Sequence, residues 1–418
     1  MREHIANPDI TVVALPEARR DELLDIDQWA FASAEESLDP DLSLLGFEWE
    51  RTFGAEINGA LSGVNSVYSL RMPVPGGEVP AAGLTSVGVH PQYRRRGVLS
   101  AMMRHHLSTV HEAGCEPVSA LLAAEPAIYG RFGYGMATRN FRLTLNRRAP
   151  MIAVAGTESM SVRMEKANAD RHAAMVAEVY ERAHQGRPGM VSRGSAGLQR
   201  RVFRDPPVRR RGGEALRLLL VLDDSEQVAG YALFRRTENW TDTGPRGTVN
   251  VTEAVALDPA ASAVLWGRLS DLDLMSTVST DSRPSDDPLL HQLVDLRAAG
   301  PRMGDGLWVR LVDVGAALAA RRYSSPVDLV LDVRDELCPW NARRWRLSGD
   351  ADGATCTPTR DSPDVGLDVR ALGSAFLGGE TLAALAAAGL VQEGTPGALV
   401  CASSALAWPV APYCGWIF

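Results

Sequence analysis

The chain switches repeatedly between two spacings of apolar residues, a period near two and a period near three and a half, with glycine, proline or Asn-Gly at the switches. The stretch DITVVAL (9–15) predicts a strand, and PEARRDELLDIDQWAFA (16–32) predicts a helix. RTFGAEI (51–57) and SGVNSVYSLRM (62–72) flank Asn58-Gly59, a strong hairpin-turn pair. GLTSVGVHP (83–91) is β-rich and runs into QYRRRGV (92–98), after which Val98, Met102, Leu107 and Val110 recur at helical spacing. Gly114 ends that helix, and EPVSALLAA (116–124) predicts a buried strand.

The same grammar then repeats. MSVRMEKANADRHAAMVAEVYERAHQG (160–186) predicts a strand and a helix, and ALRLLLVLDDSEQVAGYALFRR (215–236) a hairpin turning at Asp223-Asp224-Ser225. In TVNVTEAVALDP (248–259), Val255, Ala256, Leu257, Asp258 and Pro259 line up with Val87, Gly88, Val89, His90 and Pro91. A helix over about 260–269 follows, with no arginine-glycine loop before it, so the pattern is an internal duplication with one degenerate half. A third part opens near Gly306. There LWVRLVDV (307–314) and VDLVLDVRD (327–335) alternate as half-buried strands do, TLAALAAAGL (381–390) is a helix stopped by Gly389, and residues 396–418 read as β-like to the end. These shifts divide the chain at 1–150, 151–297 and 298–418.

Composition narrows the chemistry. The 418 residues are 45% hydrophobic and 22% charged, as in ordinary globular chains, and a length of this size suits two or three domains. A net charge of −8 argues against an overall nucleic-acid footprint. Lys166 is the only lysine, which nearly excludes Schiff-base chemistry. Cys115, Cys338, Cys356, Cys401 and Cys414 fit neither a disulfide framework nor a CxxC zinc site, and no metal is expected. The N-terminus lacks a signal-peptide pattern, and prolines and glycines interrupt the uncharged stretch from Gly394 to Phe418, so a soluble cytoplasmic protein is expected.

The candidate chemistry begins in SVGVHPQYRRRGVLSAMM (86–103), where a strand runs into three arginines and a glycine and a helix starts at about that glycine. Exposed first-turn amides and the positive end of the helix dipole suit a diphosphate. Gly97 lets the backbone approach phosphate oxygens, and arginine adds bidentate bonds. A solvated basic turn would carry the same residues, and GxxxxGK[ST] is absent. Further along, AIYGRFGYGMAT (127–138) sets two tyrosines among glycines. A tyrosine hydroxyl there can protonate a departing thiolate, or both rings can simply be core.

The first segment resembles the coenzyme A pyrophosphate loop of the GCN5-related N-acetyltransferases, Gln/Arg-x-x-Gly-x-Gly/Ala: Arg94 and Gly97 match, and Leu99 departs from the final small residue. The resemblance implies acetyl-CoA as co-substrate. It gives Val87, Gly88 and Val89 to the pantetheine arm, and the loop and first turn, Arg94, Arg95, Arg96, Gly97, Val98, Leu99 and Ser100, to the pyrophosphate. Ala124, where relatives can carry serine, and Glu125 join the cofactor set. It makes Tyr129 the proton donor ahead of Tyr134.

HPQYRRRG together with IYGRFGYG is similar to the bacterial enhanced intracellular survival (Eis-like) acetyltransferases, which acetylate aminoglycosides. That resemblance spans the chain. It implies an α/β (α+β, mixed-sheet) architecture of tandem GCN5-related acetyltransferase folds, the second degenerate, with a C-terminal sterol-carrier-protein-like domain carried by CTPT and PDVGLDVRALGSAFLGG. It also implies a homohexamer, and a general base formed by the terminal carboxylate, here Phe418. Independently, an uncharged tail rich in Trp408, Tyr413, Trp416 and Phe418 is not expected to lie free in solvent: either it packs inward, where burial would raise the pKa of the carboxylate carried with it, or it completes the sheet of the third part and its carboxylate reaches the surface.

Ten acids and no basic residue lie between Asp21 and Glu50, enough to concentrate a polycation, although most of them suit solvated helix faces. Asp27, Glu35, Glu36 and Trp49 are the expected substrate-binding set. His105, His106 and His111 lack a carboxylate at ligand spacing, and the Arg209–Arg211 triplet reads as an exposed loop. The expected activity is N-acetylation of small-molecule amines, with neither nucleic acid nor membrane as partner. The alternative is a non-catalytic coenzyme A or lipid-binding module.

Overall fold

The computed structural model describes residues 10–32 and 44–418. They divide into two compact units, one formed by the chain up to Ala137 with Leu307–Trp408 and Phe418, the other by Thr138–Gly306 with Pro409–Ile417. Strands are numbered in chain order across both.

Among the described residues of the first unit, β1 (Ile10–Ala14), β2 (Thr52–Ile57), β3 (Ala60–Val74), β4 (Gly77–Val89), β5 (Val118–Leu122), β6 (Gly135–Met136) and β16 (Leu307–Leu311) form one sheet in the order β1-β2-β3-β4-β5-β16-β6. Asn58 (φ +53°) and Gly59 (φ +78°) make the two-residue turn between β2 and β3, both in the left-handed region that such a turn requires. β4 and β5 run parallel, so a crossover must join them, and the helix Val98–Ala113 supplies it. Its buried face includes Met103, Leu107 and Val110, packed with Val67, Leu84 and Leu121 of the sheet. Gly114 (φ +67°) stops it and donates to Val110 and His111 carbonyls.

The ladder between β4 and β5 is short. It runs from Ala81↔Val118 to Gly83↔Ala120, whereas β4 stays paired with β3 as far as Val89. Beyond Gly83 the two parallel strands splay apart. A bulge between Val64 and Ser66 faces Ser86, which sits at φ +47°.

The first unit also carries a five-stranded sheet, β19-β18-β17-β20-β21, from β17 (Val327–Arg334), β18 (Arg344–Gly349), β19 (Ala354–Pro358), β20 (Val365–Asp368) and β21 (Val391–Glu393). LWVRL is not part of it: as β16 that segment pairs with β5 and β6. The β-like reading of residues 396–418 is corrected as well. Ala398–Leu406 is helical, started by left-handed Gly397 (φ +88°) and burying Ala398, Ala402, Ala405 and Leu406, because small alanines at helical spacing outweigh the local β-propensity of Val400 and Cys401.

In the second unit, β7 (Arg139–Asn146), β8 (Ser161–Lys166), β9 (Arg217–Leu222), β10 (Val228–Thr237), β13 (Gly247–Ala256), β14 (Met275–Arg283) and β15 (Arg302–Asp305) follow the order β15-β7-β14-β13-β10-β9-β8. A small hairpin, β11 (Trp240–Thr241) with β12 (Gly244–Pro245), stands apart from it. β13 and β14 are the parallel pair, joined through the helix Pro259–Ser270. The position held by β16 in the first sheet is held by β7 in the second. Among the described residues no helix is long and apolar enough to cross a membrane.

Candidate active site

The splayed end of β4 delivers the chain into the arginine-glycine loop. His90 accepts the amide hydrogen of Gln92 at 3.2 Å and opens a single turn over Pro91–Tyr93. Arg95 (φ +62°) and Gly97 (φ +92°) are both left-handed, and the helix begins at Val98 with no side chain capping it. Its first-turn amides therefore have no intrahelical acceptor and no side-chain cap, and they lie at the positive end of the dipole.

A cavity of about 570 Å³ opens at this loop. Val87, Val89, Arg94, Arg95, Gly97, Val98, Leu99, Ser100, Ala124, Glu125 and Tyr129 line it, so one concavity gathers the loop, the strand end and the tyrosine. Gly88 and Arg96 are not in the lining. A Cβ on Gly88 would meet the Ala30 Cβ at 3.0 Å, which leaves its backbone as its contribution, and Arg96 is exposed, 5.8 Å above the Tyr93 ring. Phe31, one of the aromatics that the acidic segment offered as a pocket wall, also lines the cavity, as do Ala30, Tyr93, Ile128 and Arg131, which were not singled out from sequence. Tyr93 and Arg131 sit inside the two quoted motifs, and that position was the available signal. Arg131 adds a third guanidinium to those of Arg94 and Arg95, which suits a polyanionic ligand.

Tyr129 ends the short helix Pro126–Tyr129 and is 9% exposed. Burial, with a smaller push from the Glu125 charge, raises its pKa to about 12, so the hydroxyl keeps its proton near neutrality. The chain folds back at Gly133 (φ +82°), and the Tyr134 amide donates to the Tyr129 carbonyl at 3.3 Å. Tyr134 is fully buried and hydrogen-bonded to Ser119, and burial pushes its pKa well up too. Gly130 and Gly135 are also under contact: a Cβ would lie 2.9 Å from the Arg370 guanidinium at the first and would run into the Arg370 carbonyl at the second.

Phe418 is 6% exposed. Thr85 of β4 donates its hydroxyl to an oxygen of the Phe418 α-carboxylate at 3.0 Å, and the phenyl ring comes within 3.3 Å of where a Gly83 Cβ would stand. Phe418 thus lies against β4 where the ladder to β5 ends, although it is not among the cavity-lining residues. Within the second unit the preceding tail is held by Ala411, which donates to Asp286 at 3.0 Å, and by Tyr413, which donates to the Ser282 carbonyl at 2.9 Å.

Asp27 is half-buried on the helix Arg20–Phe31 and does not line the cavity. Trp49 packs on Phe47, 5.6 Å between ring centres, beside an apolar cluster with Leu15 and Leu23. Glu35 and Glu36 lie outside the described residues. Of the histidines, His106 is buried against Ser119, His111 stacks on Trp340 at 4.1 Å and His105 meets Phe53 edge-on at 4.6 Å.

The second copy differs at the corresponding places. Its helix starts at Pro259 directly after the strand, and the Asp258 carboxylate caps it by accepting the Ala261 amide at 2.8 Å. A fixed negative charge stands where an anion would bind. Arg283 donates to the Ala254 carbonyl at 2.6 Å, occupying strand backbone past the last β13–β14 pair at Val251↔Thr280. Glu253 is engaged by Arg193, whose guanidinium also lies 3.8 Å over the Tyr180 ring.

A mixed sheet with one splayed parallel pair, entered by an anion-ready loop and repeated in degenerate form, defines a tandem acetyltransferase of the GNAT type. Residues 12–137 and 189–311 match family models described as acetyltransferase (GNAT) domains, and residues 314–415 match a sterol carrier protein domain. An uncharacterized N-acetyltransferase of Streptomyces avermitilis is 46% identical over 88% of this chain and 89% of its own length. The N-acetyltransferase Eis of Mycobacterium tuberculosis is 35% identical over 80% of each chain. The crystal structure of Eis1 from Mycobacterium abscessus superposes with a TM-score of 0.82 at 32% identity, covering 98% of this chain and all of that one. The chain belongs to the Eis-like GNAT family and is an N-acetyltransferase, with acetyl-CoA the co-substrate that membership implies.

Proposed function

We propose that this enzyme moves the acetyl group of acetyl-CoA onto amines of aminoglycoside-like polyamines, at more than one position per molecule, by direct attack in a ternary complex. The observation that carries the reading is the single cavity shared by Arg94, Arg95, Gly97, the Val98–Ser100 turn and Tyr129. In this reading Arg94, Arg95, Arg96 and the Gly97–Ser100 amides hold the pyrophosphate, with Val87, Gly88, Val89, Ala124 and Glu125 along the pantetheine arm. The amine nitrogen attacks the thioester carbon and the carbon–sulfur bond breaks. The Tyr129 hydroxyl gives its proton to the sulfur, and the α-carboxylate of Phe418 takes the proton lost by the amine. The geometry favours an enzyme over a coenzyme A or lipid-binding relic, because the first copy keeps an uncapped helix and a buried tyrosine while the second closes the equivalent helix with Asp258. Asp27, Glu35, Glu36 and Trp49 as the polycation subsite, the division at 150 and 297, a homohexameric assembly and a cytoplasmic location complete the proposal.

Thiol release from acetyl-CoA, measured against aminoglycosides, spermidine and lysine-bearing peptides, tests it. Turnover is expected with aminoglycosides. Release with peptides alone overturns the substrate class, and the absence of thiol release with every amine overturns the enzymatic reading in favour of a binding module.

A further inference from the structure

Tyr134, Ser119 and His106 form a buried cluster whose proton positions follow from counting. The Ser119 hydroxyl donates its one proton to the Ala82 carbonyl at 3.0 Å. Its oxygen must therefore accept from both other partners, the Tyr134 hydroxyl at 2.7 Å and the His106 Nε2 at 2.9 Å. His106 is then the neutral tautomer with hydrogen on Nε2. Burial agrees, since it lowers the His106 pKa to about 3, helped by the nearby Arg51 and His105 charges. All three side chains are 2% exposed or less, so no water competes for these bonds.

The location gives the cluster its consequence. Ala82↔Ser119 is the rung before Gly83↔Ala120, where the β4–β5 ladder ends. Tyr134 is thereby tied to the apex of the splay. It is also tied to Tyr129 twice, by its amide on the Tyr129 carbonyl at 3.3 Å and by an edge-to-face ring contact at 6.0 Å. A phenol that must protonate a departing sulfur needs a fixed ring, and small misplacements cost large factors in rate.

We propose that Tyr134 is a positioning residue: anchored through Ser119 to the last rungs of the β4–β5 ladder, it aims the Tyr129 hydroxyl at the reacting thioester. This rests on the reading of Tyr129 as the proton donor, and the test separates the two.

Tyr134→Phe keeps the ring and removes only the tether. In the otherwise native enzyme it should lower kcat roughly tenfold, while the KM for acetyl-CoA changes less than twofold. In a Tyr129→Phe background the same change should cost less than twofold, because no proton remains to be aimed. Ser119→Ala, which cuts the tether from the other side, should show the same dependence on background. Equal losses in both backgrounds would mean a general packing role and overturn the proposal, as would full kcat in Tyr134→Phe. If Tyr129→Phe alone keeps native turnover, the proton-donor reading fails instead, and the positioning role fails with it.

Discussion

Asp258 accepts the amide hydrogen of Ala261 at 2.8 Å and so closes the helix end that its counterpart, the turn after Gly97, leaves open. One acetyl-CoA per chain is the expected stoichiometry, and calorimetry counts it. Gly97→Val should abolish binding without unfolding the protein, because Gly97 sits at φ +92°, where a β-branched residue is strained, and its backbone faces the cavity. Ser262→Val, on the equivalent turn of the second copy, should leave binding intact. Equal loss in both variants would show that the binding copy has been misassigned.

Tyr129→Phe should lower turnover by roughly 10²- to 10⁴-fold, the range for losing a general acid. Acetyl-CoA affinity should change far less, since the hydroxyl acts on the leaving sulfur. With a pKa pushed up to about 12, Tyr129 stays protonated throughout the neutral range. The rate should therefore show no loss attributable to this group between pH 7 and about pH 10. A steep fall in kcat below pH 10 that disappears in Tyr129→Phe would contradict that environment.

Much of this arrangement was legible in the residues. Asn58-Gly59, the helix after Gly97 and the strand-helix grammar repeated around Pro91 and Pro259 all rest on local chemistry, such as φ > 0 turns and apolar faces, that a linear reading can use. What escaped it depends on long-range pairing. Nothing local in LWVRL says that it will pair with β5 and β6 and not with the strands that follow it. Alanine-rich 398–406 carried a helical signal that the aromatic stretch after it obscured. Arg131 and Thr85 were missed because an arginine in a motif and a threonine in a strand have ordinary structural reasons to be there. Their relevance appears only when the cavity and the position of Phe418 are seen.

Burial of His106 makes stability depend on acid. Its pKa falls from the usual 6.5 to about 3 in the fold, so below pH 6.5 the unfolded chain takes up a proton that the folded chain refuses. The stability that neutral His106 allows is fully present above pH 6.5 and is lost progressively as the pH drops toward 3. By pH 5 the loss from this one group amounts to about 2 kcal/mol. His106→Gln retains a donor for Ser119 and cannot titrate. Urea unfolding at pH 7 and pH 5 should show a smaller pH-dependent drop in this variant than in the native protein. The same drop in both would assign the acid sensitivity elsewhere.

The tyrosine loop is held from behind by a buried ion pair. Arg310 donates through Nε to the Phe132 carbonyl at 2.9 Å and through Nη2 to both oxygens of Asp335, at 2.8 and 2.7 Å. The two side chains are 0% and 1% exposed, and Asn341 and the Cys338 amide complete the bonding of the carboxylate. Removing one partner leaves the other charge buried and uncompensated, at a cost of roughly 3–5 kcal/mol. Replacing both with apolar residues of similar size avoids most of that cost. Asp335→Leu should therefore lower the urea midpoint sharply, and Arg310→Met in the same chain should restore much of it. The restored double variant should still turn over slowly, because the Phe132 carbonyl, three residues beyond Tyr129, has lost its Nε–H donor. Native turnover in the double variant would show that Tyr129 keeps its aim without Arg310, and an Asp335→Leu chain as stable as the native one would show that the pair contributes nothing to the fold.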